Sequence, residues 1–134
     1  MRILIIEKNE LEFESFFRLV NSNFDYDIVG CQSDLEGVEY LETATSKCDK
    51  IDVLFIDVKN DEILNSTSLL LANQYKKIVN PDLSIVLFTM ENKSKLMQDS
   101  IDIGYVDFYL SKSISTKDLK SFLSSLMLLK HWLC

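Results

Sequence analysis

The chain has 134 residues, enough for one domain with a core of its own, and 47% are hydrophobic against 26% charged, the balance of a globular protein. A net charge of −7 argues against nucleic-acid binding, since an acidic surface is repelled by a phosphate backbone. The acid is uneven: residues 1–62 carry 15 Asp/Glu against 6 Lys/Arg, and residues 63–134 carry 6 against 8. Cys31, Cys48 and Cys134 show no paired spacing and His131 stands alone, so reduced thiols and no metal cluster built on Cys and His are expected. Only four apolar residues separate Arg2 from Glu7, too few for a signal peptide, and no run has transmembrane length. A cytoplasmic location, away from membranes, is expected.

Residues 3–6 (ILII) are an apolar, β-branched run ending in an acid, Glu7, and read as a central strand. Phe13, Phe16, Phe17 and Val20 then recur at helical spacing, predicting an amphipathic helix over residues 9–21 with Asn9 as its N-cap. Residues 25–31 mix Tyr26, Ile28 and Val29 with polar positions, as an edge strand does. Ser33 and Glu36 form a capping-box pattern opening a helix to about residue 46, with Leu35, Val38 and Leu41 inward.

Residues 52–57 (DVLFID) organise the chain: four apolar residues stop at Asp57. A polar loop follows over residues 58–62. A helix from residue 65 or 66 is predicted to bury Leu71, Tyr75 and Ile78 and to stop at Pro81. Residues 84–89 (SIVLFT) form the next buried strand, ending in Thr89. A helix over residues 92–102 places Leu96, Met97 and Ile101 inward, with Gly104 as its stop. Residues 106–110 alternate as a second edge strand, Lys112 follows, and Ser115 and Asp118 cap a last helix with Leu119, Phe122, Leu123 and Leu126 on its face.

Five β-α units in succession predict one α/β domain over residues 1–134: a parallel five-stranded sheet with helices on both faces. The apolar strands belong in the middle and the mixed ones at the edges. Right-handed crossovers then favour the order 2-1-3-4-5, a flavodoxin-like (βα)5 three-layer sandwich. The sheet's carboxyl edge collects Glu7 and Lys8, Asp57, Thr89 and Lys112. Singly, each has a plainer explanation, as a strand-end acid, a loop hydroxyl or a solvated lysine. Together they make a phosphoryl-transfer kit: Asp57 to accept the group, Lys112 to neutralise its oxygens, Thr89 to donate a hydrogen bond, and strand-end acids to hold Mg²⁺. A flavin-binding role is disfavoured, because residues 7–10 (EKNE) are acidic and offer no phosphate nest.

Over nearly its whole length the chain resembles the CheY-like receiver domains of bacterial two-component response regulators. The matching pieces are residues 3–7, 52–57, 84–89 and 104–112 (GYVDFYLSK). The resemblance implies a phosphoprotein: phosphorylation on Asp57 by a histidine kinase or phosphotransfer protein, a module not classed as an enzyme, and a change of partners. Thr89 and Tyr109 are then the switch residues. Glu7, Asp57 and the backbone carbonyl of Lys59 are the Mg²⁺ ligands, and the fourth helix, fifth strand and fifth helix form a face for homodimerisation. A run of apolar residues at 126–129 is broader than one buried stripe requires and suits such a face.

Three departures bear on that reading. Lys8 stands where the family has a second metal-binding acid, and its ammonium can instead pair with Asp57. Ser113 replaces a proline that aims the lysine, and Met90 follows Thr89 where a small residue is usual. The alternative is therefore a degenerate receiver, a protein-interaction module independent of phosphorylation.

Overall fold

The computed structural model describes residues 1–133, with the side chains of residues 131–133 left aside; His131, Trp132 and Cys134 thus lie outside the described side chains. Five parallel strands, β1 (Arg2–Ile6), β2 (Asp27–Cys31), β3 (Val53–Ile56), β4 (Ser84–Thr89) and β5 (Phe108–Ser111), pair in the order β2-β1-β3-β4-β5. The helices are α1 (Glu10–Asn23), α2 (Asp34–Lys47), α3 (Thr67–Ile78), α4 (Lys95–Asp102) and α5 (Thr116–Leu133). This is the architecture that the run of apolar and mixed strands implied.

Strand alternation divides the core into two layers. Leu4, Ile6, Leu54, Ile56, Ile85 and Leu87 point one way, onto Leu41 of α2, Leu69 and Tyr75 of α3, and Met97 of α4. Ile3, Ile5, Val53, Phe55 and Val86 point the other way, onto Phe16 and Val20 of α1 and Leu119, Leu123 and Leu126 of α5. Fully burying each such side chain stabilises by roughly 1.5–3 kcal/mol. That holds the sheet rigid and fixes the five strand ends that form the site.

Several local expectations change. Helix α2 packs through Gly37, Leu41 and Ala44 rather than Leu35, which is 66% exposed. A Cβ at Gly37 would stand 2.6 Å from Ile6 Cδ1, so glycine is there to let the helix approach β1. Helix α3 turns Leu69, Ala72 and Tyr75 inward, and Ile78 lies outside at 68% exposure. The loop after Asp57 is a 3₁₀ helix, Asn60–Asn65, anchored by the buried Ile63. Helix α4 begins later than its apolar spacing suggested, because Ser94 caps it by accepting from Met97 N–H. Gly104, at φ +79°, ends the turn after α4 as a C-terminal stop.

Candidate functional site

Glu7 follows β1 and Asp57 follows β3, the two strands that flank the point where chain order reverses. Asn9 caps α1 by accepting from Glu12 N–H at 3.0 Å, which sets Glu12 in the first helical turn, above the same rim. Lys112 follows β5, and its backbone N–H donates to the Thr89 carbonyl at 2.8 Å. Its side chain crosses back over β4 to the acids. The Lys112 ammonium donates to Asp57 Oδ2 at 2.7 Å and also bonds Glu7 Oε1 and Glu12 Oε2.

One ammonium therefore serves three carboxylates. The Lys112 side chain is 5% exposed, against 8% for Glu7, 29% for Asp57 and 39% for Glu12. Burial disfavours the Lys112 cation, but its hydrogen bonds to Asp57, Glu12 and Glu7 outweigh burial and hold its pKa above the ordinary lysine value. Burial raises the Glu7 pKa, against the pull of Lys112, and the Asp57 charge adds to the rise. Glu12, nearer solvent, is lowered by its hydrogen bond to Lys112.

Lys8 does not take this place. Its ammonium pairs with Asp34 at 2.8 Å, with both side chains more than half exposed, in a cavity that Asp57 lines as well. The cation on Asp57 is Lys112. The loop that aims Lys112 is held without proline by Ser111 and Ser113, whose hydroxyls lie 2.6 Å apart, and by Ile114 N–H on the Ser111 carbonyl. The Lys59 carbonyl accepts from Glu62 N–H at 2.9 Å within the 3₁₀ helix. Met90 is 63% exposed and lines a groove of about 420 Å³ between α1 and the start of α5.

Thr89 and Tyr109 meet at one residue, Glu91. Thr89, 2% exposed, accepts from Glu91 N–H at 3.2 Å through its hydroxyl, and the Tyr109 hydroxyl donates to the Glu91 carbonyl at 2.7 Å. The Glu91 carboxylate then accepts from Asn60 N–H at 3.0 Å, and Ser94 donates to Asn60 Oδ1 at 2.7 Å. The β4–α4 loop is thus latched to the loop that follows Asp57. Glu12, Asn60, Glu91 and Ser94 do not stand out in the strand-end pattern. For Glu12 a usable signal existed: an Asn9 cap aims the third residue of α1 back over the sheet edge.

The donor set suits a divalent cation of the Mg²⁺ kind. Glu7, Glu12 and Asp57 can each offer a carboxylate oxygen, all within 4.8 Å of one another, and such hard cations take oxygen ligands. The Lys112 ammonium already stands among these oxygens as a cation.

No family model matches the chain, and no curated protein does. Solved structures do. A response regulator receiver domain protein from Clostridium thermocellum superposes with a TM-score of 0.71 at 20% identity, over 99% of this chain and 98% of its own. The signal receiver domain of an HD domain-containing protein from Pseudomonas fluorescens gives 0.72 at 16% identity, over 97% and 88%. The fold is that of receiver domains. A response regulator from Thermotoga maritima also shares it, with a TM-score of 0.68 at 15% identity over 93% of this chain and 95% of its own. Among the described residues no helix is long and apolar enough to cross a membrane.

Proposed function

We propose that residues 1–134 act as one receiver module of two-component signalling, in which Asp57 accepts a phosphoryl group from a histidine kinase or phosphotransfer protein in the cytoplasm. The observation that carries this reading is the contact of Lys112 with Asp57 at the end of the central strand, 2.7 Å between ammonium and carboxylate. Asp57 gives Oδ2 to Lys112, leaving Oδ1 to attack the phosphorus of the donor's phosphohistidine; the O–P bond forms as the P–N bond breaks, and the donor's imidazole leaves. Lys112 then meets the charge that arrives on the phosphoryl oxygens. The carboxylates of Glu7, Glu12 and Asp57 could hold a divalent cation, which would supply further positive charge to those oxygens when bound. Thr89 gives up Glu91 N–H to donate to the phosphoryl group, and the latch through Glu91 carries that shift to Tyr109.

Signalling, rather than turnover of a substrate, is the role this reading gives the module. Its output surface is α4, β5 and α5. Leu126 is buried, whereas Met127, Leu128 and Leu129 of α5 are 39%, 60% and 52% exposed, an apolar area suited to a second copy.

A second reading, a degenerate receiver, is favoured by Lys8. Its ammonium goes to Asp34, so the second strand-end acid of the family has no counterpart on β1. The two readings separate by intact mass after incubation with acetyl phosphate, with and without Mg²⁺. A Mg²⁺-dependent adduct on the wild type supports the switch. No adduct on the wild type, with one on Lys8→Asp, supports the degenerate module.

A further inference from the structure

The geometry assigns Glu12 as the replacement for the missing second acid: a divalent cation binds between Glu7, Glu12 and Asp57, and it does so by exchanging with the Lys112 ammonium. This deepens the receiver reading and rests on it for its purpose, though not for its test. Two observations meet here. Lys8, at the position of the absent acid, spends its ammonium on Asp34 and bonds none of the three carboxylates that Lys112 holds. Glu12, brought in by the Asn9 cap from the first turn of α1, puts its carboxylate on the same ammonium as Glu7 and Asp57. The carboxylate lost from β1 is restored from α1.

The charge count fits the exchange. Three carboxylates around one ammonium leave a formal surplus of two negative charges, more than one lysine neutralises. An ion bonded to the same three oxygens at about 2.0–2.6 Å would stand in contact with the ammonium. Like charges that close repel strongly in a half-buried site. Lys112 and the cation therefore exclude each other, and Lys112 gives up the carboxylates as the cation enters. Its ammonium is then released at the rim, where phosphoryl oxygens arrive. In one state Lys112 is a counter-ion that keeps the acids together, and in the other it is a phosphoryl ligand.

The test is Mn²⁺ binding, read by loss of the free-ion electron paramagnetic resonance signal, on the full chain without any phosphodonor. Glu12→Gln should weaken binding by about tenfold or more, as expected for removing one of three charged ligands, while Glu10→Gln, an exposed neighbour on the same turn, should stay within about twofold. Lys112→Met should tighten binding by about tenfold or more, because the competing cation is gone. Glu12→Asp should retain part of the affinity that Glu12→Gln loses. Circular dichroism establishes that each variant is folded, and Lys112→Met/Glu12→Gln keeps the inference testable if wild-type binding is too weak to measure. Mn²⁺ binding indifferent to Glu12 in both backgrounds, or unchanged by Lys112→Met, overturns the inference. Failure of acetyl phosphate to label Asp57 would instead overturn the receiver reading and leave the Mn²⁺ result standing.

Discussion

The two ends of the sheet handle charge in opposite ways. At the amino end Asp27, Asp52 and Asp107 each have a cation of their own. Asp107 takes both of its oxygens to the Lys76 ammonium at 3.0 Å and also accepts from Ile85 N–H at 2.8 Å. Asp52 accepts from Arg2 N–H at 2.8 Å, with the Lys50 ammonium 3.7 Å away. These contacts tie the starts of β1, β4 and β5 to neighbouring elements. At the carboxyl end three carboxylates crowd one buried ammonium. The contrast is between one cation per carboxylate in these three pairs and one cation shared by three carboxylates at the rim.

The largest effect that tests this contrast is Lys112→Met. It leaves Glu7 buried beside two further carboxylates. The loss should be about 2–4 kcal/mol in urea denaturation at neutral pH, somewhat below a fully buried pair because Asp57 and Glu12 face solvent. The loss should shrink in acid as the carboxylates protonate. The same lysine sets an alkaline signature. Its folded pKa lies above the unfolded value of 10.5, so its contribution is complete below that value and is lost as pH rises through the folded pKa. The wild type should therefore lose stability in that range and Lys112→Met should not, by thermal melts across pH. On the acid side the signs oppose. The lowered Glu12 contributes stability that is lost as pH falls, whereas the raised Glu7 favours the fold at low pH, so Glu12→Gln should make the melting temperature less acid-sensitive.

Asp107→Asn tests the matched end. It should cost about 1–2 kcal/mol, since the amide can still accept from Ile85 N–H and what is lost is the pair with Lys76, whose side chains are 23% and 27% exposed. Labelling of Asp57 should not change. The smallest effect is Tyr109→Phe, which removes the bond to the Glu91 carbonyl. About 0.5–1.5 kcal/mol is expected, seen as faster amide exchange in the β4–α4 loop rather than a large shift in global stability.

The sheet was legible because burial on both faces writes itself as unbroken apolar runs, and residues 3–6, 53–56 and 85–88 are such runs. The strand-end residues followed from it, since a run that stops on Glu7, Asp57 or Thr89 must deliver that side chain to the rim. Helix faces were less legible. Leu35 and Ile78 fit the apolar spacing but lie outside, where neighbouring glycine and alanine let the helices approach more closely. The pairing of cations was the least legible. Sequence order puts Lys8 next to Glu7, yet successive residues leave a strand end in opposite directions, so Lys8 turns to Asp34 and the lysine 105 residues from Glu7 comes in. Glu12 is set over the rim by the Asn9 cap, a signal carried by the helix start rather than by any strand end.

The central claim is that Asp57 is the group that accepts phosphate. Intact-mass analysis of wild type and Asp57→Asn, each incubated with acetyl phosphate and Mg²⁺, tests it most directly. One added phosphoryl group on the wild type, absent from Asp57→Asn, is the expected result. An unmodified wild type, or an adduct that persists in Asp57→Asn, would contradict it.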